Sequence, residues 1–175
     1  KNINQHLKKE KSYLHIDVGG GSTELTSIVN GQTKNSKSFS IGSVRLLEGK
    51  VSKKSWNDMK EWIKSNTNSV TGIKAIGSGG NINKIASMLG KKKGEYVPYN
   101  GIKILLKKIE AKDFHQRITT FGLRPDRADV IIPASKIYLN CMKWSKSQKI
   151  LVPQSGLADG IIEQLYDTYK SVSKS

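Results

Sequence analysis

The chain has 175 residues, enough for one domain with a buried core. Thirty Lys and Arg against 14 Asp and Glu give a formal charge of +16, which directs attention to a polyanionic partner: nucleic acid, acidic membrane or polyphosphate. A single cysteine, Cys141, excludes a disulfide framework and a cysteine zinc site, and no apolar run approaches a membrane span or a signal peptide, so a cytoplasmic protein with no membrane partner is expected.

In chain order, residues 1–12 read as a tail or inter-lobe segment, and 13–170 as one domain. The chain starts without Met, and its first convincing strand begins at about Tyr13, the pattern of a piece cut from a longer protein. "YLHIDV" alternates as a strand with Leu14, Ile16 and Val18 on one face. "STELTSIVN" alternates as a second, "NGQ" at Asn30–Gln32 signals a hairpin, and "KNSKSFSIG" is a more polar third strand ending near Ile41. Three strands joined by short turns make an antiparallel meander. Trp56, Met59, Trp62, Ile63 and Val70 recur at helical spacing from Ser55 to about Val70, with Ser52 or Ser55 as cap. The tryptophans at 56 and 62 read as packing residues. "GIKAIG" is a short strand, and a helix from Asn81 to Leu89 follows it. Two longer helices are expected, Ile102 to about Thr120 and Asp126 to about Lys143. "KILVP" is a last buried strand and "GLADGIIEQLYDTY" a closing helix. The pattern is α/β.

Two glycine-rich stretches carry the chemistry. In "HIDVGGGSTEL", Gly19, Gly20 and Gly21 follow the first strand, flanked by Asp17 and Glu24. A nucleotide P-loop needs Gly-Lys-Ser/Thr opening a helix, whereas Ser22-Thr23-Glu24 opens a strand. The dinucleotide fingerprint also fails, because Glu24 stands where its third glycine belongs. What remains is a tight turn whose successive amides form an anion nest, with the Ser22 hydroxyl beside it. Two carboxylates next to a phosphate repel it unless a cation lies between. Mg²⁺ suits the place, since it takes one or two carboxylates, waters and phosphate oxygens. The second stretch, Gly77-Ser78-Gly79-Gly80, runs from a strand into a helix N-terminus at Asn81, where free amides and the helix dipole also favour an anion.

"IDVGGGSTEL", "IGSGGNINKI", "GLRPDRADVIIPA" and "SGLADGII", in this order, resemble the exopolyphosphatase / guanosine pentaphosphate phosphohydrolase family, of the actin and sugar-kinase superfamily. The resemblance implies a ribonuclease H-like (actin-like ATPase) domain: a mixed sheet of three antiparallel strands followed by parallel ones, with helices on both faces. It implies hydrolysis of a terminal phosphoanhydride of inorganic polyphosphate or guanosine pentaphosphate, with Mg²⁺ as cofactor. It also implies two lobes with substrate in the cleft between them. This chain resembles the second lobe only, and the water-activating glutamate is implied to lie in the first, the missing partner; a homodimer is a further partner considered.

By the same resemblance Asp17 and Glu24 match the catalytic and metal positions. Gly19, Gly20, Gly21 and Ser22 match the phosphate loop, with Gly79, Gly80 and Asn81 as its second wall. Arg127, in "RPDRAD", is the candidate partner for a phosphate oxygen, ahead of Arg124. His15 shares the face of Asp17 and reads as a structural histidine. Two departures stand out: Ala134 where the family often has glycine, and Ala158-Asp159 in place of a frequent Arg-Glu. An ATP-dependent kinase or ATPase of the same superfamily would share the glycine loops. A basic nucleic-acid-binding module is disfavoured, because the basic strands lack interleaved aromatics.

Overall fold

The computed structural model describes residues 11–153. Strands β1 (Tyr13–Val18), β2 (Thr23–Val29) and β3 (Gln32–Phe39) form the expected meander, with β2 antiparallel to both neighbours. The first turn of the meander is the glycine loop and the second is Asn30-Gly31. Asn30 has φ 52° and Gly31 φ 75°, the left-handed pair that matches hairpin twist. Strands β4 (Lys74–Ser78) and β6 (Lys149–Leu151) then add in parallel, giving the order β3-β2-β1-β4-β6-β5 in a six-stranded sheet.

Strand β5 (Tyr96–Pro98) was not expected from sequence. Three residues are too few for a periodic signal, and Pro98 is tolerated because β5 is the sheet edge, antiparallel to β6. A second unexpected element is α1 (Ser43–Leu47), a short helix directly after β3.

Helix α2 (Lys53–Thr67) starts two residues earlier than its apolar spacing suggested. Ser52 Oγ, not Ser55, is the cap, accepting from the Ser55 amide at 3.1 Å. Helix α3 (Gly80–Met88) follows β4 as expected. The single helix expected from Ile102 to Thr120 is two: α4 (Tyr99–Glu110) and α5 (Phe114–Phe121). Asp113 and Gln116 close a capping box, at 2.8 and 3.1 Å, that starts a fresh N-terminus inside the apolar run. The helix expected from Asp126 to Lys143 also divides, into α6 (Pro125–Ala128) and α7 (Ile131–Trp144). Pro133 cannot donate to a preceding turn, so the chain restarts at Ile131 and places the proline in a first turn. Ala134 is buried in α7. The closing helix expected from Gly156 to Tyr169, with Ala158-Asp159, lies outside the described residues, as do residues 1–10 of the expected tail.

Alternation assigns the two sheet faces. Leu14, Ile16 and Val18 join Leu25, Ala75 and Ile150 in one core with Met59 and Ile63 of α2, Ile82 and Ile85 of α3, Ile109 of α4 and Ile137 of α7. Burying each such side chain contributes about 1.5–3 kcal/mol. Trp62 stacks edge-on against Phe39, and Trp56 against Trp144, so both tryptophans pack on this core. The opposite face carries Tyr13, Ile28, Ile76 and Leu151 at one end. Toward the carboxyl ends of β1 and β4 it turns polar, with His15, Asp17, Glu24 and Ser78. The candidate site sits at that end.

Candidate functional site

Asp17 and Glu24 are direct cross-strand partners on β1 and β2, so their side chains leave the same face. Opposed side chains have β-carbons about 4.5–5.5 Å apart, and two acids so placed repel each other. Hydroxyls offset part of this: Ser22 Oγ donates to Glu24 Oε1 at 2.7 Å and Ser38 Oγ to the same oxygen at 2.9 Å. The rest favours a cation. No group of three His, Cys, Asp or Glu side chains converges among the described residues, so among them an ion here would rest on this pair. That donor set fits Mg²⁺, which keeps most of its water and takes few protein ligands.

The glycine loop is held from behind by α1, a helix not expected from sequence. The Ser43 amide donates to Gly19 O at 2.9 Å, and the Val44 and Arg45 amides donate to Gly20 O at 3.0 and 3.1 Å. Arg45 Nε donates to Gly21 O at 3.0 Å. Carbonyl and amide of one trans peptide point in opposite directions. The amides of Gly20, Gly21 and Ser22 therefore turn away from α1 as a set. None of the three donates to a described residue, and the glycines are exposed. Three free amides side by side are the arrangement an anion nest requires. Beside it lies a hollow of about 400 Å³ lined by Gly20, Gly21, Val44, Arg45, Glu48 and Lys50. Lys50 Nζ, 2.8 Å from Glu48, holds that carboxyl below its usual range. The sequence signal for α1 was "GSVRLL" after the third strand, too short to show a helical period.

The second loop faces Asp17. Gly79 has φ 110°, and a β-carbon there would lie 3.5 Å from Asp17 Oδ1. Ser78 is held at two points: Tyr138 OH donates to its carbonyl at 2.7 Å, and its Oγ is hydrogen-bonded to His15 Nε2 at 2.9 Å. His15 is thus a buried, bonded histidine joining β1 to β4. Burial, and then the charge of Asp17, raise the Tyr138 hydroxyl far above the usual tyrosine range, so it remains a donor. Tyr138→Phe is expected to reduce unfolding free energy by about 1–2 kcal/mol, by leaving the Ser78 carbonyl short of its donor. Urea denaturation with an unchanged midpoint would show that the hydroxyl does not hold this loop.

Arg127 reaches the same place. Its Nη1 donates to Asn81 Oδ1 at 3.0 Å, and a β-carbon on Gly80 would collide with the guanidinium. Asn81 is buried. A cation over the first residues of α3 meets the positive end of the helix dipole, an unfavourable arrangement that an anion between them relieves. No carboxylate pairs with Arg127 among the described residues. Arg124 instead pairs with Asp126 at 3.1 Å on the open surface, so it stands as a surface ion pair. The structure thus brings Asp17, Glu24, Gly19 to Ser22, Gly79, Gly80, Asn81 and Arg127 to one end of the sheet.

A mixed sheet led by a β-meander, with glycine loops after β1 and β4, defines an actin-like ATPase-fold domain of the ribonuclease H type. The Ppx/GppA phosphatase family model matches residues 2–169, and the chain belongs to that family. No curated protein matches it in sequence. The crystal structure of the Aquifex aeolicus Ppx/GppA phosphatase, type II variant, superposes with a TM-score of 0.69 at 23% identity, covering 91% of this chain and 59% of that one. An exopolyphosphatase from Cytophaga hutchinsonii gives 0.69 at 20% identity, covering 91% and 58%. The chain therefore spans less than two thirds of these relatives. No described helix is long and apolar enough to cross a membrane.

Proposed function

We propose that this chain forms one wall of a phosphoanhydride hydrolase that removes terminal phosphate from inorganic polyphosphate or guanosine pentaphosphate. One observation carries the reading: a cross-strand Asp17–Glu24 pair beside three successive amides turned outward from a braced glycine loop. Family membership and a solved exopolyphosphatase of the same fold support it.

In this reading the Gly20, Gly21 and Ser22 amides bind the terminal phosphoryl oxygens. They are fixed in advance by α1, so no reorganisation is needed as charge builds on the transferred group. Arg127 and the first turn of α3 take the next phosphate oxygens. Asp17 and Glu24 would hold Mg²⁺, which when bound supplies compensation for phosphate charge. Glu24, exposed and beside the nest, orients the attacking water through Oε2, while Ser22 and Ser38 occupy Oε1. Water adds to the terminal phosphorus, the bridging P–O bond breaks, and a carboxylate accepts the water proton. The base for that transfer is proposed to lie on the opposing wall, in the part of the relatives this chain does not span. Alone, the chain is then expected to hydrolyse polyphosphate at least about a hundredfold more slowly than a protein with both walls, because a positioned base is absent.

The test is calorimetric titration of the 175-residue chain with tripolyphosphate, with Mg²⁺ and then with chelator. Binding that needs Mg²⁺ and is lost on chelation supports the reading. Tighter binding of ATP than of tripolyphosphate would replace it with the kinase alternative.

A further inference from the structure

Strand β3 does not keep one register against β2. Next to the Asn30-Gly31 turn, Val29 pairs with Gln32 and Ile28 with Thr33, but the following pair is Ser27 with Asn35. Lys34 is therefore the extra residue of a β-bulge, and its exposed side chain donates to Gln32 Oε1 at 3.3 Å. A shift of one residue moves every later side chain to the other face of the strand. Continued from the turn without the bulge, the ladder would set Lys37 opposite Glu24. With it, Ser38 stands opposite Glu24, and Lys37 stands opposite Leu25 with its Nζ 5.2 Å from the centroid of the Phe39 ring. Bulges beside functional sites commonly re-aim a side chain in this way.

The bulge brings a second hydroxyl to one carboxylate oxygen. Ser38 Oγ donates to Glu24 Oε1 at 2.9 Å from β3, and Ser22 Oγ donates to the same oxygen at 2.7 Å from the glycine loop. An ionised carboxylate only accepts, and each of its oxygens has two lone pairs, so these two donors fill Oε1. Glu24 is left with Oε2 and cannot chelate a metal through both oxygens. A hydroxyl has one proton to donate. That of Ser22 is engaged by Glu24, so only the Ser22 amide remains for a phosphate. Lys37 in the place of Ser38 would lay an ammonium on the carboxylate and compete with any cation between Glu24 and Asp17.

We propose that Ser22 and Ser38 are positioning residues that clamp Glu24 by Oε1 and present Oε2 to the attacking water, and that the bulge at Lys34 is the device that brings Ser38, not Lys37, to that place. The proposal rests on the hydrolase reading for what Oε2 meets. The clamp would serve any attack that Glu24 guides.

The experiment makes Ser38→Ala, Ser38→Thr, Ser38→Lys and Ser22→Ala. Tripolyphosphate affinity is measured on the 175-residue chain at saturating Mg²⁺, and phosphate release from polyphosphate in a protein carrying both walls of the cleft. An unchanged melting curve confirms folding of each variant. Ser38→Ala and Ser22→Ala are each expected to lower kcat about tenfold, the worth of one hydrogen bond to a charged group, with KM and tripolyphosphate affinity within about twofold of the parent. Ser38→Thr, which keeps the hydroxyl, restores turnover, and Ser38→Lys lowers it further than alanine does. In a Glu24→Gln background Ser38→Ala adds no further loss, because Ser38 acts through Glu24. Parent kcat in Ser38→Ala or Ser38→Lys overturns the clamp, as does a threonine variant as slow as the alanine one. So does tripolyphosphate binding weakened about tenfold in Ser22→Ala alone, which would return that hydroxyl to the phosphate. If the serine variants slow turnover of ATP while polyphosphate is not cleaved by the parent, the clamp stands and the hydrolase reading falls.

Discussion

Glu24→Gln is expected to lower phosphate release by about two to four orders of magnitude while leaving polyphosphate affinity, measured at saturating Mg²⁺, within a few-fold. The amide keeps the size of the side chain, and its carbonyl can still accept from Ser22 and Ser38, so the hairpin is undisturbed. What disappears is the negative charge opposite Asp17, which the proposed water and Mg²⁺ both need. Because that charge acts on the transition state more than on bound substrate, the loss falls on turnover. Asp17→Asn is expected to behave similarly and to raise the Mg²⁺ concentration needed for half-maximal rate. Initial rates in a protein carrying both walls of the cleft, with affinities from the 175-residue chain, separate the two quantities. Parent rates in both variants would remove the carboxylate pair from the mechanism.

Gly42→Ala is expected to be the most damaging single methyl near the site. A β-carbon at Gly42 would collide with the carbonyl of Gly20 and the carbonyl carbon of Gly21. These are backbone atoms, so no side chain can rotate aside. Either α1 or the glycine loop must move. Overpacking of this kind costs about 1–3 kcal/mol, and more when backbone must shift. Displacing α1 also releases the carbonyls of Gly19 and Gly20 and with them the alignment of the amides. A lowered denaturant midpoint together with lost tripolyphosphate binding is the expected pair of results. Gly21→Ala is the control: its β-carbon meets nothing within 4 Å, and the midpoint should barely change. Equal midpoints for the two variants would mean that α1 does not brace the loop.

Much of this architecture is local and was therefore legible in order along the chain. Period-two alternation put Leu14, Ile16 and Val18 in the core and left Asp17 on the other face, and Asn30-Gly31 announced its turn. Even the two broken helices had local signals, the Asp113–Gln116 capping box and Pro133, which the longer apolar periodicity concealed. Three glycines between two acids marked the site because the conformational freedom of glycine is a property of the residue itself.

The tertiary structure alone decided which groups reach that site and what keeps them there. The α1 amides clasp carbonyls some 24 positions earlier, Arg127 reaches Asn81 across 46 positions, and Tyr138 reaches Ser78 across 60. Propensity, capping and periodicity act over a few residues and carry no information about such partners. These contacts follow from β4 joining β1 in parallel and from α7 packing across the sheet, which place distant segments at one end of the fold. The residues of the nest were written in the chain; the direction in which its amides point was set by the helix that folds behind it.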